Sequence, residues 1–244
     1  MSKLAIVTGA AGGIGSATVR RLVSDGYKVA ALDINEQSLE EVKAESPANI
    51  EIYPVNLTDV ESTRAVVQRI ESEMGPIYAL ANVIGWTATS KFVDEAPEYW
   101  DKVIDINYKS VLYITHAVIP AMIERKVGRI VTVTSDAGKV GTSGEAVYGG
   151  TKGALIAWSK SIARELARYS INVNCTAPGP TNTPLEAEQA AQDPETFKRR
   201  LKVIPFRRLA EPAEQAAMIS FLCSDDSEYI TGQVFSVSGG LTMS

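Results

Sequence analysis

The sequence contains a single histidine, His116, and only two cysteines, Cys175 and Cys223. One histidine excludes a histidine-rich zinc site, and the two cysteines form no spacing typical of a metal or redox motif. A Ser-His-Asp triad would depend on His116, which lies inside a long helical pattern. We therefore expect no bound metal.

Positive charge and long apolar runs are also scarce. The net charge is −5 at pH 7, which argues against nucleic acid as the main partner. No apolar run is long enough to span a bilayer. The first three residues lead directly into a strand pattern rather than a signal peptide. We therefore expect a cytoplasmic protein that acts on a small molecule, without a nucleic-acid or membrane partner.

The 244 residues contain no linker, repeat or low-complexity tract, which favours one domain over residues 1–244. Hydrophobic residues make up 45% of the chain, enough for a large core. Short apolar strand patterns alternate with helical patterns, such as those at 97–125 and 146–169. This alternation predicts an α/β fold, with a Rossmann-type doubly wound parallel sheet of about seven strands and helices on both faces.

A glycine-rich turn follows the first predicted strand and runs from Thr8 to Gly15 into a helix. Glycines let the backbone approach a pyrophosphate, and the helix N-terminus adds N–H groups and a positive dipole end. Asp33 closes the second predicted strand, where a carboxylate accepts both ribose hydroxyls of NAD and repels the 2′-phosphate of NADP. Asp33 could also cap the helix that starts near Glu36. Because neighbouring Ile34 is not basic, we predict NAD as the cofactor.

Tyr148 and Lys152 lie four residues apart in the predicted helix 146–169, so their side chains share one face. An ammonium beside a phenol favours the phenolate, which predicts a lowered pKa for Tyr148 and a role as general acid or base. Ser135 follows a predicted buried strand at 129–134, at the end where open α/β sheets bind ligands. Alone, the Tyr-Lys pair would indicate only a surface helix, but Ser135 and the glycine-rich turn favour a catalytic site.

The turn T-G-A-A-G-G-I-G, Ser135, Tyr148 and Lys152 together resemble the short-chain dehydrogenase/reductase family over nearly the whole chain. The resemblance implies hydride transfer between NAD and a secondary alcohol or ketone. Tyr148 would be the general base, Ser135 would orient the substrate oxygen, and Lys152 would keep Tyr148 ionised and bind the nicotinamide ribose. Asn107, within 97–125, matches the family asparagine that helps hold a relay water. Family members commonly pair long helices across subunits, which implies a homo-oligomer, specifically a tetramer.

The same resemblance assigns the cofactor site. Asn56 stands where many members carry Asp, and Val83 and Ile84 replace two residues of the family's N-N-A-G motif. Thr183 matches the residue that binds the nicotinamide carboxamide, although it could equally cap a helix before Pro184. The expected cofactor residues are Gly9, Gly12, Gly13, Ile14, Gly15, Asp33, Asn56, Leu57, Asn82, Gly85, Tyr148, Lys152, Pro178, Gly179, Thr181 and Thr183.

Within the family, the stretch SDAGKVGTSGEAVY and the tryptophan after Gly85 resemble 2-hydroxycyclohexanecarboxyl-CoA dehydrogenases. This implies a cyclic hydroxy acid or its CoA ester as substrate, near Trp86, Ser143, Gly144 and Glu145. A 3-oxoacyl-thioester reductase is the alternative. Two other classes stay open, namely a non-catalytic NAD(H)-binding sensor and an epimerase or dehydratase.

Residues 185–205 are polar, alanine-rich and helical in pattern, and they occupy the place of the family's mobile substrate lid. Their cations form either a solvated face or a binding site for an anionic group of the substrate. These cations are Lys198, Arg199, Arg200 and Lys202.

Overall fold

The computed structural model describes residues 2–192 and 194–243, except for the side chains of Gln189, Gln192 and Thr196. Seven parallel strands form one sheet, which confirms the predicted single-domain α/β fold. The strands are β1 (Leu4–Thr8), β2 (Lys28–Asp33), β3 (Ile50–Pro54), β4 (Ile77–Asn82), β5 (Gly128–Val133), β6 (Ile171–Pro178) and β7 (Val234–Val237). Their order across the sheet is β3-β2-β1-β4-β5-β6-β7.

Helices connect the strands. They are α1 (Gly13–Ser24), α2 (Glu36–Ala44), α3 (Val60–Met74), α4 (Pro97–Ile104), α5 (Ser110–Arg125), α6 (Ala137–Val140), α7 (Ala146–Leu166), α8 (Pro184–Gln192), α9 (Pro194–Val203) and α10 (Pro212–Cys223). Within the described ranges, no helix has both the length and the apolar character needed to cross a membrane.

Both faces of the sheet are covered, which explains why the strands are almost continuously apolar. Ile6 of β1 and Ile130 of β5 belong to one core cluster, together with apolar residues of α3 and α5. Val7 and Val131, the next residue of each strand, belong to a second cluster with residues of α1, α2 and α10. The period-two alternation of a strand thus supplies two separate cores.

The order in which the chain adds strands to the sheet reverses between β1 and β4, which are neighbours. From β1 the chain proceeds to β2 and β3 on one side, and from β4 it proceeds to β5, β6 and β7 on the other. The loops that follow β1 and β4 therefore diverge and open a crevice at the carboxyl edge of the sheet. Ligands of open α/β sheets bind in such a crevice.

The predicted helix over 97–125 is present, but it is not α-helical throughout. A π-helical segment, Asp105–Lys109, separates α4 from α5. Asn107 lies in this segment, and its side-chain Nδ2 donates to the Val103 carbonyl at 2.9 Å. In a regular helix that carbonyl would accept from the backbone N–H of residue 107, so the side chain competes with the helical ladder.

Most described residues of the predicted lid are helical and belong to α8 and α9, and Asp193 lies outside the described residues. The third strand, β3, is short. It ends at Pro54 and leaves Asn56 and Leu57 in the following loop. The loop after β3 and the lid both border the crevice.

Candidate active site

A cavity of about 860 Å³ opens at the carboxyl edge of the sheet, between the glycine-rich turn and the lid. It joins Tyr148 and Lys152 to all the predicted cofactor residues except Asn82. Those that line it are Gly9, Gly12, Gly13, Ile14, Gly15, Asp33, Asn56, Leu57, Gly85, Pro178, Gly179, Thr181 and Thr183.

The glycine-rich turn packs so closely that side chains would not fit. A Cβ on Gly15 would lie 1.9 Å from the Gly9 carbonyl oxygen, and Gly9 itself has a φ of 64°. A Cβ on Gly13 would lie 2.8 Å from Thr183 Cγ2. The turn thus presents bare backbone and the start of α1 to the cavity, which fits a dinucleotide pyrophosphate.

The Asp33 carboxylate is fixed at the end of β2 beside this turn. Its Oδ2 accepts from the Ala11 backbone N–H at 3.1 Å, and its Oδ1 accepts from the Asn35 N–H at 3.0 Å. Asn35, not Asp33, is the N-cap of α2. The alternative that Asp33 caps this helix is therefore wrong. The lone pairs that remain on the Asp33 carboxylate can accept hydrogen bonds from a ligand.

The positive side chains that line the cavity come from other elements than the β2 end that carries Asp33. Within the described residues the lining cations are Lys102, Lys152 and Arg200, on α4, α7 and α9. The residue after Asp33 is Ile34, whose apolar side chain is 72% exposed. A 2′-phosphate placed beside Asp33 would therefore face a carboxylate, and the residue that follows offers no positive charge.

Asn82 is completely buried at the end of β4 and lies outside the cavity lining. Its Nδ2 donates to Thr115 Oγ1 at 3.1 Å, which ties the sheet to α5. Thr8 Oγ1 accepts from the backbone N–H groups of Val83 and Ile84 at 3.1 and 3.3 Å. Asn82 thus ties β4 to α5, and Thr8 supports the turn that borders the crevice, while a direct contact of Asn82 with the cofactor stays a prediction.

Asn56 is exposed and lines the cavity, but its amide oxygen serves its own loop. Asn56 Oδ1 accepts from both the backbone N–H and the hydroxyl of Thr58, at 3.0 and 2.8 Å.

Thr183 has two roles, one in capping a helix and one at the cavity. Its hydroxyl accepts from the Glu186 N–H at 3.2 Å at the start of α8, while its side chain borders the cavity beside Gly13.

Ser135, Tyr148 and Lys152 come together where the sheet meets α7. The Ser135 and Tyr148 side chains form a hydrogen bond. Lys152 is 2% exposed, and its Nζ lies 5.6 Å from the centroid of the Tyr148 ring. The structure therefore brings three of the four predicted catalytic side chains together at one point of the cavity wall.

The contact between α6 and α7 fixes this geometry. A Cβ on Gly138 of α6 would lie 2.7 Å from the Lys152 backbone carbonyl carbon. Gly149 and Gly153 of α7 face α6 in the same way, with Cβ positions 3.0 and 3.1 Å from its carbonyl oxygens. The segment that begins at Ser135 thus lies directly on the backbone that carries Tyr148 and Lys152.

Asn107 lies close to this trio but is completely buried. Its Oδ1 accepts from the Trp86 N–H at 3.0 Å, and its Nδ2 donates to the carbonyls of Trp86 and Val103. Both Asn107 Oδ1 and Lys152 Nζ lie 3.2 Å from the position of a Cβ on Gly85. The asparagine thus holds the loop after β4 beside Lys152, and its water-binding role stays a prediction.

The predicted lowering of the Tyr148 pKa by Lys152 is wrong for this structure. Burial raises the pKa of Tyr148 well above its usual value of 10, the charge of Glu145 raises it further, and the hydrogen bond with Ser135 opposes both effects. Burial also lowers the pKa of Lys152 to about 8. The lysine thus loses part of its charge at the same place where burial disfavours the phenolate.

Two of the four predicted substrate residues, Trp86 and Glu145, line the cavity. The Trp86 ring lies 5.9 Å from the Tyr99 ring and 3.8 Å from Lys102 Nζ. Ser143 and Gly144 lie between the lining residues Thr142 and Glu145 but are not part of the lining themselves, so their role in substrate binding stays a prediction. The Gly144 carbonyl instead accepts from the Ser90 N–H at 3.0 Å, and its φ of 83° serves the turn before α7.

Arg200 is the member of the lid cluster that lines the cavity, and its Nη1 lies 3.1 Å from Glu186 Oε1. Lys198 instead pairs with Glu195 at 2.9 Å on the outer surface. Arg199 and Lys202 are exposed. Several other lining residues were not predicted individually, because only the folded chain brings α4, α6, the lid and the chain end together at the cavity. They include Lys102, Val140, Leu185, Glu186, Val203, Leu241 and Thr242.

Comparison with known proteins identifies the family to which this chain is similar. A short-chain dehydrogenase/reductase family model, described as enoyl-(acyl carrier protein) reductase, matches residues 9–242. The chain is 37% identical to the 3-oxoacyl-[acyl-carrier-protein] reductase of Thermotoga maritima over 99% of its length and 98% of that protein. It is also 37% identical to the acetoacetyl-CoA reductase of an Acinetobacter strain, with the same coverage of both chains.

The solved structure of ElxO with NADP bound has the same fold, with a TM-score of 0.93, 24% identity and 99% coverage of both chains. The match of the family model over almost the whole chain agrees with the joining of Ser135, Tyr148 and Lys152 at one cavity. The protein therefore belongs to the short-chain dehydrogenase/reductase family of oxidoreductases.

Proposed function

We propose that the protein interconverts 3-oxoacyl and 3-hydroxyacyl thioesters with NAD(H) as hydride carrier. The observation that carries the proposal is the convergence of Ser135, Tyr148 and Lys152 on a cavity that is continuous with the glycine-rich turn. This arrangement supports proton transfer beside a nicotinamide.

The crevice fits NAD on three grounds. The turn around Gly9 and Gly15 offers backbone without side chains, Asp33 offers a carboxylate for the ribose hydroxyls, and Thr183 borders the cavity near Gly13. When bound, the nicotinamide supplies or accepts the hydride. The side chains of the protein then manage the oxygen and the proton.

In the reductive direction the Ser135 hydroxyl donates a hydrogen bond to the ketone oxygen and orients it. Tyr148, as a phenol, gives its proton to the same oxygen as negative charge develops there. The Lys152 ammonium stabilises the phenolate that remains. In the oxidative direction the phenolate takes the proton back from the alcohol, so the side chains that serve one direction also serve the other.

The substrate class rests on the relatives and on the cavity mouth. The matched relatives are named as reductases of acyl thioesters, carried by acyl carrier protein or by CoA. At the mouth, Val140 of α6 and Val203 of α9 are 65% and 64% exposed, an apolar rim that suits an acyl chain or a pantetheine arm. The cyclic hydroxyacyl-CoA reading has less support, because of its four expected contacts only Trp86 and Glu145 line the cavity.

A substrate screen tests the proposal. NADH absorbance is followed with acetoacetyl-CoA, longer 3-oxoacyl thioesters, a 2-hydroxycyclohexanecarboxyl thioester and the matching free acids. We expect turnover of the 3-oxoacyl thioesters in preference to the cyclic compound. Binding of NADH without turnover of any ketone or alcohol would instead identify a non-catalytic sensor.

A further inference from the structure

Lys102 of α4 holds its ammonium over the indole ring of Trp86, at the wall of the active-site cavity. The Lys102 Nζ lies 3.8 Å from the ring centroid, and both residues line the cavity. Lys102 is exposed, whereas Trp86 is half-buried. An aromatic face attracts an ammonium and so limits the positions that a flexible lysine side chain adopts. The positive charge is therefore held at a defined place in the cavity.

The Trp86 ring is itself fixed by the protein. The Trp86 N–H donates to Asn107 Oδ1 at 3.0 Å, and the Trp86 carbonyl accepts from Asn107 Nδ2 at 2.7 Å. The indole packs in an edge-to-face arrangement on the ring of Tyr99, whose hydroxyl donates to the Ala88 carbonyl at 2.7 Å. The surface under the ammonium is thus in place before a substrate binds.

The other cations of the cavity lining are already engaged. Lys152 is 2% exposed and belongs to the catalytic trio. Arg200 Nη1 lies 3.1 Å from Glu186 Oε1. Within the part of the chain that the structure describes, Lys102 has the tryptophan ring as its contact and forms no ion pair. Its charge is therefore available to a ligand in the cavity.

The carboxylates that precede and follow α4 have partners of their own. Glu95 accepts hydrogen bonds from Ser90 Oγ and Trp100 Nε1, both at 2.8 Å. Asp105 pairs with Lys109 at 2.7 Å. Neither carboxylate is therefore drawn to the lysine that lines the cavity.

The position of Lys102 indicates which part of a thioester would contact it. Trp86 directly follows Gly85, and a Cβ on Gly85 would lie 3.2 Å from Lys152 Nζ. The charge above the Trp86 ring therefore lies near the reacting ketone. The phosphate of a pantetheine arm is much farther from that ketone than the end of a short acyl chain. The geometry thus favours an anion on the acyl chain over an anion on its carrier.

We infer that Lys102 binds a carboxylate at the end of the acyl chain, and that the preferred substrates are 3-oxoacyl thioesters whose acyl group ends in a carboxylate. The inference rests on the proposed function and narrows its substrate class. The chain would lie along the apolar face of the Trp86 ring, and its carboxylate would pair with the ammonium. The carrier arm would leave past the apolar rim of Val140 and Val203.

Two substrates of equal chain length separate the effect of the charge from that of the chain. The N-acetylcysteamine thioesters of 3-oxohexanoate and 3-oxoadipate share a neutral carrier and differ only at the end of the acyl chain. In the wild type we expect the lower KM for the 3-oxoadipyl thioester. Lys102→Gln should raise that KM by roughly three- to tenfold with kcat nearly unchanged, because the lost ion pair is present in ground state and transition state alike. KM for the 3-oxohexanoyl thioester should stay the same.

Two further variants control for effects other than charge. Lys102→Arg keeps a cation over the Trp86 ring and should retain the preference for the carboxylate. Lys91→Gln removes an exposed lysine outside the cavity lining, so it is the matched control and should change neither KM. Added salt should reduce the preference of the wild type but not that of Lys102→Gln, because salt screens an accessible charge.

A second readout does not depend on turnover. Calorimetric titration of Tyr148→Phe in the presence of NADH measures the Kd of both thioesters in a protein whose proton donor is removed. Adding Lys102→Gln to this variant should raise the Kd of the 3-oxoadipyl thioester by the same factor as KM. The Kd of the 3-oxohexanoyl thioester should not change.

The outcomes separate the inference from the proposed function. Failure to reduce any 3-oxoacyl thioester would contradict the proposed function, while calorimetry would still report whether Lys102 binds the carboxylate. Equal KM values for the two thioesters in the wild type, or an equal change of both in Lys102→Gln, would overturn the inference. So would a rise in KM confined to acetoacetyl-CoA, because it would assign Lys102 to the phosphates of the carrier.

Discussion

Lys152 Nζ donates a hydrogen bond of 3.1 Å to the backbone carbonyl of Val133, and this bond joins the middle of α7 to the last residue of β5. The amine is thereby anchored at the sheet edge beside Ser135, within reach of the Tyr148 ring. It is also removed from water, which is why its pKa falls from 10.5 to about 8. The position that catalysis needs is thus unfavourable for a charged amine.

Lys152→Met should therefore stabilise the protein near neutral pH. The lowered pKa means that the native state binds fewer protons than the unfolded chain between about pH 8 and 10.5, so stability rises with pH in that window and the cost of burial is complete below it. After the lost hydrogen bond to Val133 is allowed for, we expect a gain of about 1–3 kcal/mol at neutral pH that shrinks towards pH 10.

Urea unfolding of wild type and Lys152→Met at neutral and alkaline pH measures this difference. Lys160→Met, on the exposed side of the same helix, is the control and should show no such pH dependence. A destabilised Lys152→Met at neutral pH would contradict the expected cost of the buried amine.

Tyr148→Phe should remove the proton transfer and leave the cofactor site intact. The phenyl ring keeps the packing in the cavity wall, and only the hydroxyl that bonds to Ser135 is lost. We expect turnover of the thioester to fall by roughly 10² to 10⁴. NADH binding, followed by fluorescence, should be nearly unchanged, and turnover close to wild type would exclude Tyr148 as the proton donor.

Asp33 should make the enzyme prefer NAD. Its carboxylate is held by the N–H groups of Ala11 and Asn35, and the next residue, Ile34, provides no cation for a 2′-phosphate. We expect kcat/KM with NADH to exceed that with NADPH by roughly tenfold or more, equivalent to about 1.4 kcal/mol. Asp33→Ala combined with Ile34→Arg should reverse the preference, whereas Ile34→Arg alone, which keeps the carboxylate, should not. A better kcat/KM with NADPH in the wild type would refute the assignment.

Arg200→Ala should weaken the binding of anionic substrates. Without the guanidinium, Glu186 and Glu145 both face the cavity with no lid cation to offset them. KM for a CoA thioester should rise by roughly five- to tenfold, and KM for a neutral N-acetylcysteamine thioester should change less. Lys198→Ala, which breaks only the outer pair with Glu195, is the control. Equal changes for the charged and neutral substrates would show that Arg200 acts only on lid structure.

The sequence predicted those parts of the fold and site that depend on local pattern. The glycine-rich turn, Asp33 at the end of β2 and the Tyr148–Lys152 spacing are all readable from neighbouring residues. The π-helical segment around Asn107 was not readable, because it depends on contacts between that side chain and the loop after β4. The direction of the Tyr148 pKa was wrong because burial, which sequence spacing does not reveal, outweighs the charge of Lys152.

The lid shows the same limit. The sequence identified four cations in the lid, but it could not tell which of them meets the cavity. Arg200 pairs with Glu186, which lies on a different helix, so spacing within one helix could not reveal this contact. Ser143 and Gly144 were placed by alignment alone, and the Gly144 backbone serves the turn before α7.

The close glycine contact between α6 and α7 makes the geometry of the catalytic side chains independent of the residues that determine substrate specificity. Because Gly138 rests on the backbone of Lys152, the spacing of Ser135 from the tyrosine and lysine is set by main chain against main chain. Side-chain volume elsewhere in the cavity has little influence on that spacing. The lid helices and the cavity mouth can therefore change in sequence, and admit new substrates, while the proton-transfer machinery keeps its dimensions.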